Sequence, residues 1–275
     1  MKSHALALHE QGLRIGFVPT MGYLHDGHLS LIKIAQACCD VVVVSIFVNP
    51  TQFGVGEDLD RYPQDMAGDL DKITRAGAQV VFAPSVHEIY DGQAPVQVSI
   101  PRLARRLCGV SRPHHFDGVC QVVLKLFGAV RCDVAVFGEK DFQQLAIIRR
   151  LVKDLYLDIE VRSGPIVREP SGLAMSSRNV YLSSTQRSQA TVLSCALEQA
   201  RSQVSAGVTD VTVLKRLMIQ RIESASEARC EYVEIVNPKS LEPLTSVHSS
   251  LGARALIAAQ FGATRLIDNA SLLDA

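Results

Sequence analysis

Two histidines, His25 and His28, flank Gly27 in the run Pro19-Thr20-Met21-Gly22-Tyr23-Leu24-His25-Asp26-Gly27-His28. They stand where an apolar run, Ile15 to Val18, gives way to a helical pattern from Leu29 to Ala35. The first N–H groups of a helix point outward without intrahelical partners, and the helix dipole there favours an anion. Imidazoles add donors to such a spot without a fixed charge. The combination reads as a nucleotide-phosphate site, with Gly22 and Gly27 keeping Cβ atoms away from a close-approaching nucleotide. One histidine at a helix start would ordinarily cap or pack it. Two around a glycine, between a strand and a helix, point to function, and the H-x-G-H spacing is not that of a P-loop.

Other residues offer matching chemistry. Lys140, in Gly138-Glu139-Lys140-Asp141, follows the apolar run Val134 to Phe137, so it belongs at a strand's carboxyl end, where an ammonium is a compact donor to phosphate oxygens. Met175-Ser176-Ser177-Arg178 holds two hydroxyls and a guanidinium within one short segment. Asp65, Asp69 and Asp71 fall on helical spacing and read as a solvated face. His114-His115 are two metal-ligand types without partners, too few for a transition-metal site. There is no G-x-x-x-x-G-K-[ST], no G-x-G-x-x-G and no G-x-S-x-G, which removes P-loop ATPases, ordinary dinucleotide dehydrogenases and nucleophile-elbow hydrolases.

The elements that must position these groups alternate. Apolar, β-rich runs recur at 14–18, 41–48, 80–83, 134–137 and 159–161, and helical patterns fill the gaps at 29–39, 64–76, 118–130 and 142–155. Strands that are apolar throughout and alternate with helices predict a parallel sheet covered on both faces, whose ligands sit at the strands' carboxyl ends. The candidate blocks comply, each directly following a strand. The pattern changes near 165–179. Helical patterns at 185–204 and 210–225 and short strands at 230–236, 254–259 and 265–267 predict a smaller α+β unit. The fold class expected is therefore α/β: a Rossmann-like domain over 1–167 and a smaller α+β lid domain over 168–275. Gly54 to Asp60 reads as a mobile acidic loop.

Composition narrows the function classes. The 275 residues are 47% hydrophobic, enough for one large core or two modest ones, and 28 basic residues balance 28 acidic ones. No electrostatic footprint for nucleic acid or an anionic membrane follows, so phosphate binding must be local. The first residues lack a signal-peptide apolar segment, and no apolar run approaches membrane-spanning length. Seven cysteines without a C-x-x-C fit reduced, mostly buried thiols in the cytoplasm.

Four separated blocks, PTMGYLHDGH at 19–28, SIFVNPTQF at 45–53, FGEKDFQQL at 137–145 and GLAMSSRN at 172–179, resemble the pantoate–β-alanine ligase (pantothenate synthetase) family of the H-x-G-H nucleotidylyltransferase superfamily. SRPHHFDGV at 111–119 matches imperfectly, and TRLIDN at 264–269 is also family-like. The resemblance implies a Mg²⁺- and ATP-dependent ligase, typically a homodimer, that joins pantoate to β-alanine through pantoyl adenylate. It implies ATP contacts at Met21, Gly22, Tyr23, Leu24, His25, Asp26, Gly27 and His28, at Gly138, Glu139, Lys140 and Asp141, and at Val167, Met175, Ser176, Ser177 and Arg178. His28 becomes the proton donor, with His25 and Lys140 beside it in catalysis. Gln52 and Gln144 are placed on pantoate, Gln52 also near β-alanine, with Asn49 orienting their loop. Asp69 is implied as an acid near Mg²⁺.

The chain departs from the family at several positions. His114 stands for a glycine, Ser171 for an aspartate, and Gly128 and Cys132 for an asparagine and a proline. The helix that usually precedes the first strand reads as trimmed. Two other function classes stay open on these residues: nucleotidyl transfer to a phosphate acceptor, which would call for basic residues in place of Gln52 and Gln144, and a nucleotide-binding module without turnover.

Overall fold

The computed structural model describes residues 1–92, 96–248, 250 and 252–273. Its strands are β1 (Ile15–Thr20), β2 (Val41–Ile46), β3 (Val80–Phe82), β4 (Val134–Gly138), β5 (Glu160–Gly164), β6 (Ala228–Val236), β7 (Arg254–Phe261) and β8 (Thr264–Ser271). Its helices are α1 (Lys2–Glu10), α2 (Asp26–Gln36), α3 (Met66–Arg75), the one-turn α4 (Val86–Ile89), α5 (Pro101–Ala104) and α6 (Cys108–Ser111), then α7 (His115–Val130), α8 (Phe142–Asp154), α9 (Ser184–Ala190), α10 (Val192–Ser205) and α11 (Val211–Glu223). Two compact units emerge. The first comprises Met1–Glu139 and Gln144–Ile166; the second comprises Lys140–Gln143 and Val167–Ala275. Thus Val167 and the Lys140–Gln143 turn both group with the second unit.

In the first unit five parallel strands run in the order β3-β2-β1-β4-β5. β1 pairs with β2 from Ile15↔Val41 to Thr20↔Ile46, and with β4 at Gly16↔Val134 and Phe17↔Ala135. Alternate residues of each strand feed two cores, as the pleat dictates. Phe17, Val43, Ala135 and Phe137 join Val119, Phe127, Leu145 and Ile148 on one face. Val18, Val42, Val44, Val134 and Val136 join Leu31, Ile32, Ala35 and Ile73 on the other. The chain runs outward from β1 through β2 to β3 and returns beyond β1 as β4. The crevice outside the carboxyl ends of β1 and β4 is therefore the topological switch point, where such sheets bind ligands.

A helix precedes β1: α1 spans nine residues, and its Ala5 is buried among the residues of α7 and β1. Within the Gly54–Asp60 segment, Glu57 pairs with Arg112.

In the second unit, β6, β7 and β8 form an antiparallel sheet in that order. α9 begins at a capping box of Ser183 and Gln186, and α11 at Asp210, whose side chain accepts from the N–H groups of Thr212 and Val213. Leu193, Leu197, Leu214, Met218 and Ile222 pack on Ile235, Ile257 and Phe261 in one core. β8 runs four residues past the expected end at 267, through Asp268 and Asn269, whose buried side chains find partners within this unit. Among the described residues, no helix is long and apolar enough to cross a membrane.

Candidate active site

The H-x-G-H turn leaves β1 at Thr20, whose hydroxyl donates to the Ser45 carbonyl (2.7 Å) and accepts from the Gly22 N–H (3.1 Å). Gly22 has φ +86° and Tyr23 φ +52°. The left-handed region costs a residue bearing a Cβ about 1–2 kcal/mol, so something must hold Tyr23 there. That group is Asp69. On α3 and only 1% exposed, it accepts from the Tyr23 N–H at Oδ2 and the Leu24 N–H at Oδ1, each at 2.7 Å. A Cβ on Gly22 would come within 3.1 Å of that same Oδ2. Helical spacing suggested a solvated acid; the turn bends over it and buries it.

His25 caps α2 in an extended conformation, and its N–H donates to His28 Nδ1 (3.3 Å). Because Nδ1 accepts, the proton of a neutral His28 ring resides on Nε2, a tautomer fixed by this bond. The two rings lie 4.1 Å apart. The first turn of α2 thus offers an imidazole N–H beside the helix's own N–H groups, with Asp26 and Gly27 in that turn.

The acceptor candidates follow β2. Asn49, 1% exposed, donates from Nδ2 to the Gly118 carbonyl (3.2 Å) and to Gln52 Oε1 (3.1 Å), while its Oδ1 accepts from the Tyr90 hydroxyl (2.8 Å). Gln52 Nε2 then lies 3.1 Å from Met21 Sδ, against the H-x-G-H turn itself. The Gln52 carbonyl accepts from Arg112 Nη2 (3.2 Å) and from His115 Nδ1 (2.8 Å). Arg112 is in turn forked onto Glu57, with Nε donating to Oε1 at 2.6 Å. Burial alone would raise Glu57, but the Arg112 hydrogen bonds and charge outweigh it and hold the carboxyl below its ordinary value. Gly118 lets this loop approach α7: a Cβ there would sit 2.4 Å from the Thr51 carbonyl oxygen. Gln144 is half-buried in the first turn of α8. Beside the turn a cavity of about 430 Å³ opens, lined by Met21, Gly22, Phe47, Gln64 and Asp69 among others.

Sequence reasoning saw the 111–119 block but gave no role to Arg112, His115 or Glu57. Two of the departures fit the backbone as it stands. His114 is exposed with φ −105°, a conformation that needs no glycine. Ser171 Oγ accepts from the Leu173 N–H, a turn bond that an aspartate would also make.

Gly138 ends β4, and Glu139 accepts from the Ser163 hydroxyl (3.0 Å). In the second unit Lys140 and Asp141 form one tight turn, with Nζ 3.6 Å from Asp141 Oδ2. The Val167 carbonyl accepts from the Met175 N–H (2.9 Å), closing the 167–175 segment, and Ser176 Oγ accepts from the Arg178 N–H (3.3 Å), with Ser177 buried beside them. Among the described residues, no group of three or more His, Cys, Asp or Glu side chains could hold a metal ion. Both Asp69 oxygens already accept backbone N–H groups, which does not fit a dedicated protein cage for Mg²⁺.

A doubly wound parallel sheet with an H-x-G-H turn at its switch point defines a nucleotide-binding enzyme of the adenylating class. The comparisons give the family: residues 1–271 match the pantoate-beta-alanine ligase family, and the chain belongs to it. It is 50% identical over 262 residues to the pantothenate synthetase of Pelotomaculum thermopropionicum, covering 95% of this chain and 92% of that protein. The crystal structure of pantothenate synthetase from Thermus thermophilus superposes with a TM-score of 0.92 at 44% identity, over 95% of this chain and 94% of that one. The Francisella tularensis pantoate-beta-alanine ligase, complexed with beta-gamma ATP and beta-alanine, gives 0.82 at 34% identity, over 100% and 95%.

Proposed function

We propose that this chain condenses pantoate with β-alanine at the expense of ATP, as a cytoplasmic homodimer. The pantoate carboxylate attacks the α-phosphorus of ATP, forming pantoyl adenylate and releasing pyrophosphate. The β-alanine amine then attacks the acyl carbon, the C–O bond to AMP breaks, and pantothenate, AMP and a proton leave. Activation is needed because a carboxylate has no good leaving group, whereas AMP departs readily.

The observation that carries this reading is the abutment of Gln52 on Met21. It sets a neutral amide, suited to hydroxyls and a carboxylate, directly against the nucleotide turn. Nucleotidyl transfer to a phosphate would call for a cation there. His28 Nε2–H is positioned to donate to the phosphate as negative charge builds, and such preorganised donors supply much of a site's rate. Lys140, Ser176, Ser177 and Arg178 are proposed as further phosphate donors, Val167 and Met175 as nucleotide contacts, and Gln144 as the second pantoate contact. Magnesium is proposed to arrive on the triphosphate, since this ion keeps waters and substrate phosphates as ligands.

Exchange of labelled pyrophosphate into ATP should require pantoate and proceed without β-alanine. A strict requirement for β-alanine would overturn the two-step route. His28→Ala should slow the exchange by about 10²–10³-fold, the usual loss for one preorganised donor, with the fold intact.

A further inference from the structure

The Lys140 ammonium stands on a flexible four-carbon stem with Asp141 Oδ2 at 3.6 Å, so its position is set by that pair and by the backbone that carries it. The structure fixes that backbone from β8. Asn269, 2% exposed, donates from Nδ2 to the Lys140 carbonyl at 2.9 Å. Its Oδ1 accepts from Arg254 Nε at 2.7 Å. The Arg254 guanidinium carbon also lies 3.9 Å from the centroid of the Phe142 ring, two residues beyond Lys140. One amide therefore has its donor on the lysine's carbonyl and its acceptor on a cation that stacks beside the same turn.

The neighbouring position secures the other nucleotide segment. Asp268, 3% exposed, accepts from Arg168 through Nη1 (2.6 Å) and Nη2 (3.0 Å), and Arg168 Nη1 also donates to the Gly172 carbonyl (3.1 Å). Asp268 Oδ1 further accepts from the Asn269 backbone N–H (2.8 Å), which ties the Asp268 carboxylate to the strand. The asparagine amide serves the Lys140 carbonyl and the Arg254 Nε together. An aspartate would set a carboxylate against the Lys140 carbonyl, and an alanine would leave the carbonyl and the guanidinium N–H without this partner.

We propose that Asn269, backed by Arg254, is a positioning residue for Lys140. It touches no substrate; it sets the origin from which the ammonium reaches a phosphate. This rests on the reading of Lys140 as a phosphate donor. It also accounts for a buried asparagine in a strand whose Leu266 is a core apolar residue.

The test is a double-mutant cycle on the full chain, read by pantoate-dependent pyrophosphate exchange. Asn269→Ala should lower the exchange kcat about tenfold, the order expected for one buried hydrogen bond, while the KM for pantoate moves less than twofold. In the Lys140→Ala background the same substitution should cost less than twofold, because the lysine through which it acts is gone. Arg254→Lys, which keeps the charge and loses the Nε donor, should show a smaller loss with the same non-additivity; it carries the test if Asn269→Ala does not fold. A full loss that persists in the Lys140→Ala background would assign Asn269 a merely structural role and overturn the proposal. Impaired Lys140→Ala beside unimpaired Asn269→Ala and Arg254→Lys would overturn it alone. An unimpaired Lys140→Ala would overturn the phosphate role of Lys140 and the positioning role with it.

Discussion

Asp69→Asn changes one atom in the support of the H-x-G-H turn, and its cost follows from the geometry. In the native chain two oxygens meet two backbone N–H groups at 2.7 Å, shielded from water. Hydrogen bonds to charged groups contribute about 1.5–3 kcal/mol each. An asparagine keeps one acceptor but turns an NH₂ toward the other N–H, so one bond is lost and two donors face each other. A loss of about 2–4 kcal/mol is expected from the missing bond and the unsatisfied donors. Tyr23 is then free to leave its left-handed conformation, and the first turn of α2 shifts with it. A displacement of about 1 Å at a positioned donor costs on the order of 10²-fold in rate. The assay pairs pantoate-dependent pyrophosphate exchange with a thermal melt: the variant should melt lower and exchange about 10²-fold more slowly. An Asp69→Asn variant with native melting and native exchange would refute the strut.

Three further outcomes are expected. Gly118→Ala should push the Thr51–Gln52 backbone away from α7, destabilise by about 1–3 kcal/mol and raise the KM for pantoate more than that for ATP; matched changes in both would argue against a pantoate contact at Gln52. The Glu57 carboxyl lies below its ordinary value, so its pair with Arg112 contributes stability that is complete above the unfolded value and is lost as pH falls through the lower folded one. The difference in unfolding free energy between wild type and Arg112→Met should therefore be constant near neutrality and shrink in acid; a difference independent of pH would remove the pair as its cause. Finally, burial raises the Cys120 and Cys132 thiols to about 12, whereas Cys195 is exposed, so a thiol reagent followed by peptide mass spectrometry should modify Cys195 well before those two.

The sheet was legible in the sequence because Val41–Val44 and Val134–Phe137 are apolar on both faces, a pattern that few structures other than a covered parallel strand produce. The H-x-G-H turn was legible because its chemistry is local, contained in ten consecutive residues. Asp69 was not. Its partners lie 45 and 46 residues earlier, and helical spacing alone cannot tell an acid facing water from one facing a turn. Glu57 likewise looks like loop composition until Arg112 arrives from 55 residues away. Asn269 was hidden for a further reason: Asp-Asn is a turn signal in isolation, and only the partners Arg168, Arg254 and Lys140 make it tenable inside a strand.

The strand order carries a consequence for the chain as it is made. β1 lies between β2 and β4, yet roughly 90 residues separate the end of β2 from the start of β4. A ribosome adds about 5–20 residues per second, so on the order of 5–20 seconds pass between the two strands leaving the tunnel. During that interval β1, β2 and β3 can pair, but the opposite edge of β1, with its buried Phe17 and Val18, has no neighbour. An open apolar edge is a template for strand addition by another chain. The arrival of β4 both closes that edge and creates the switch point.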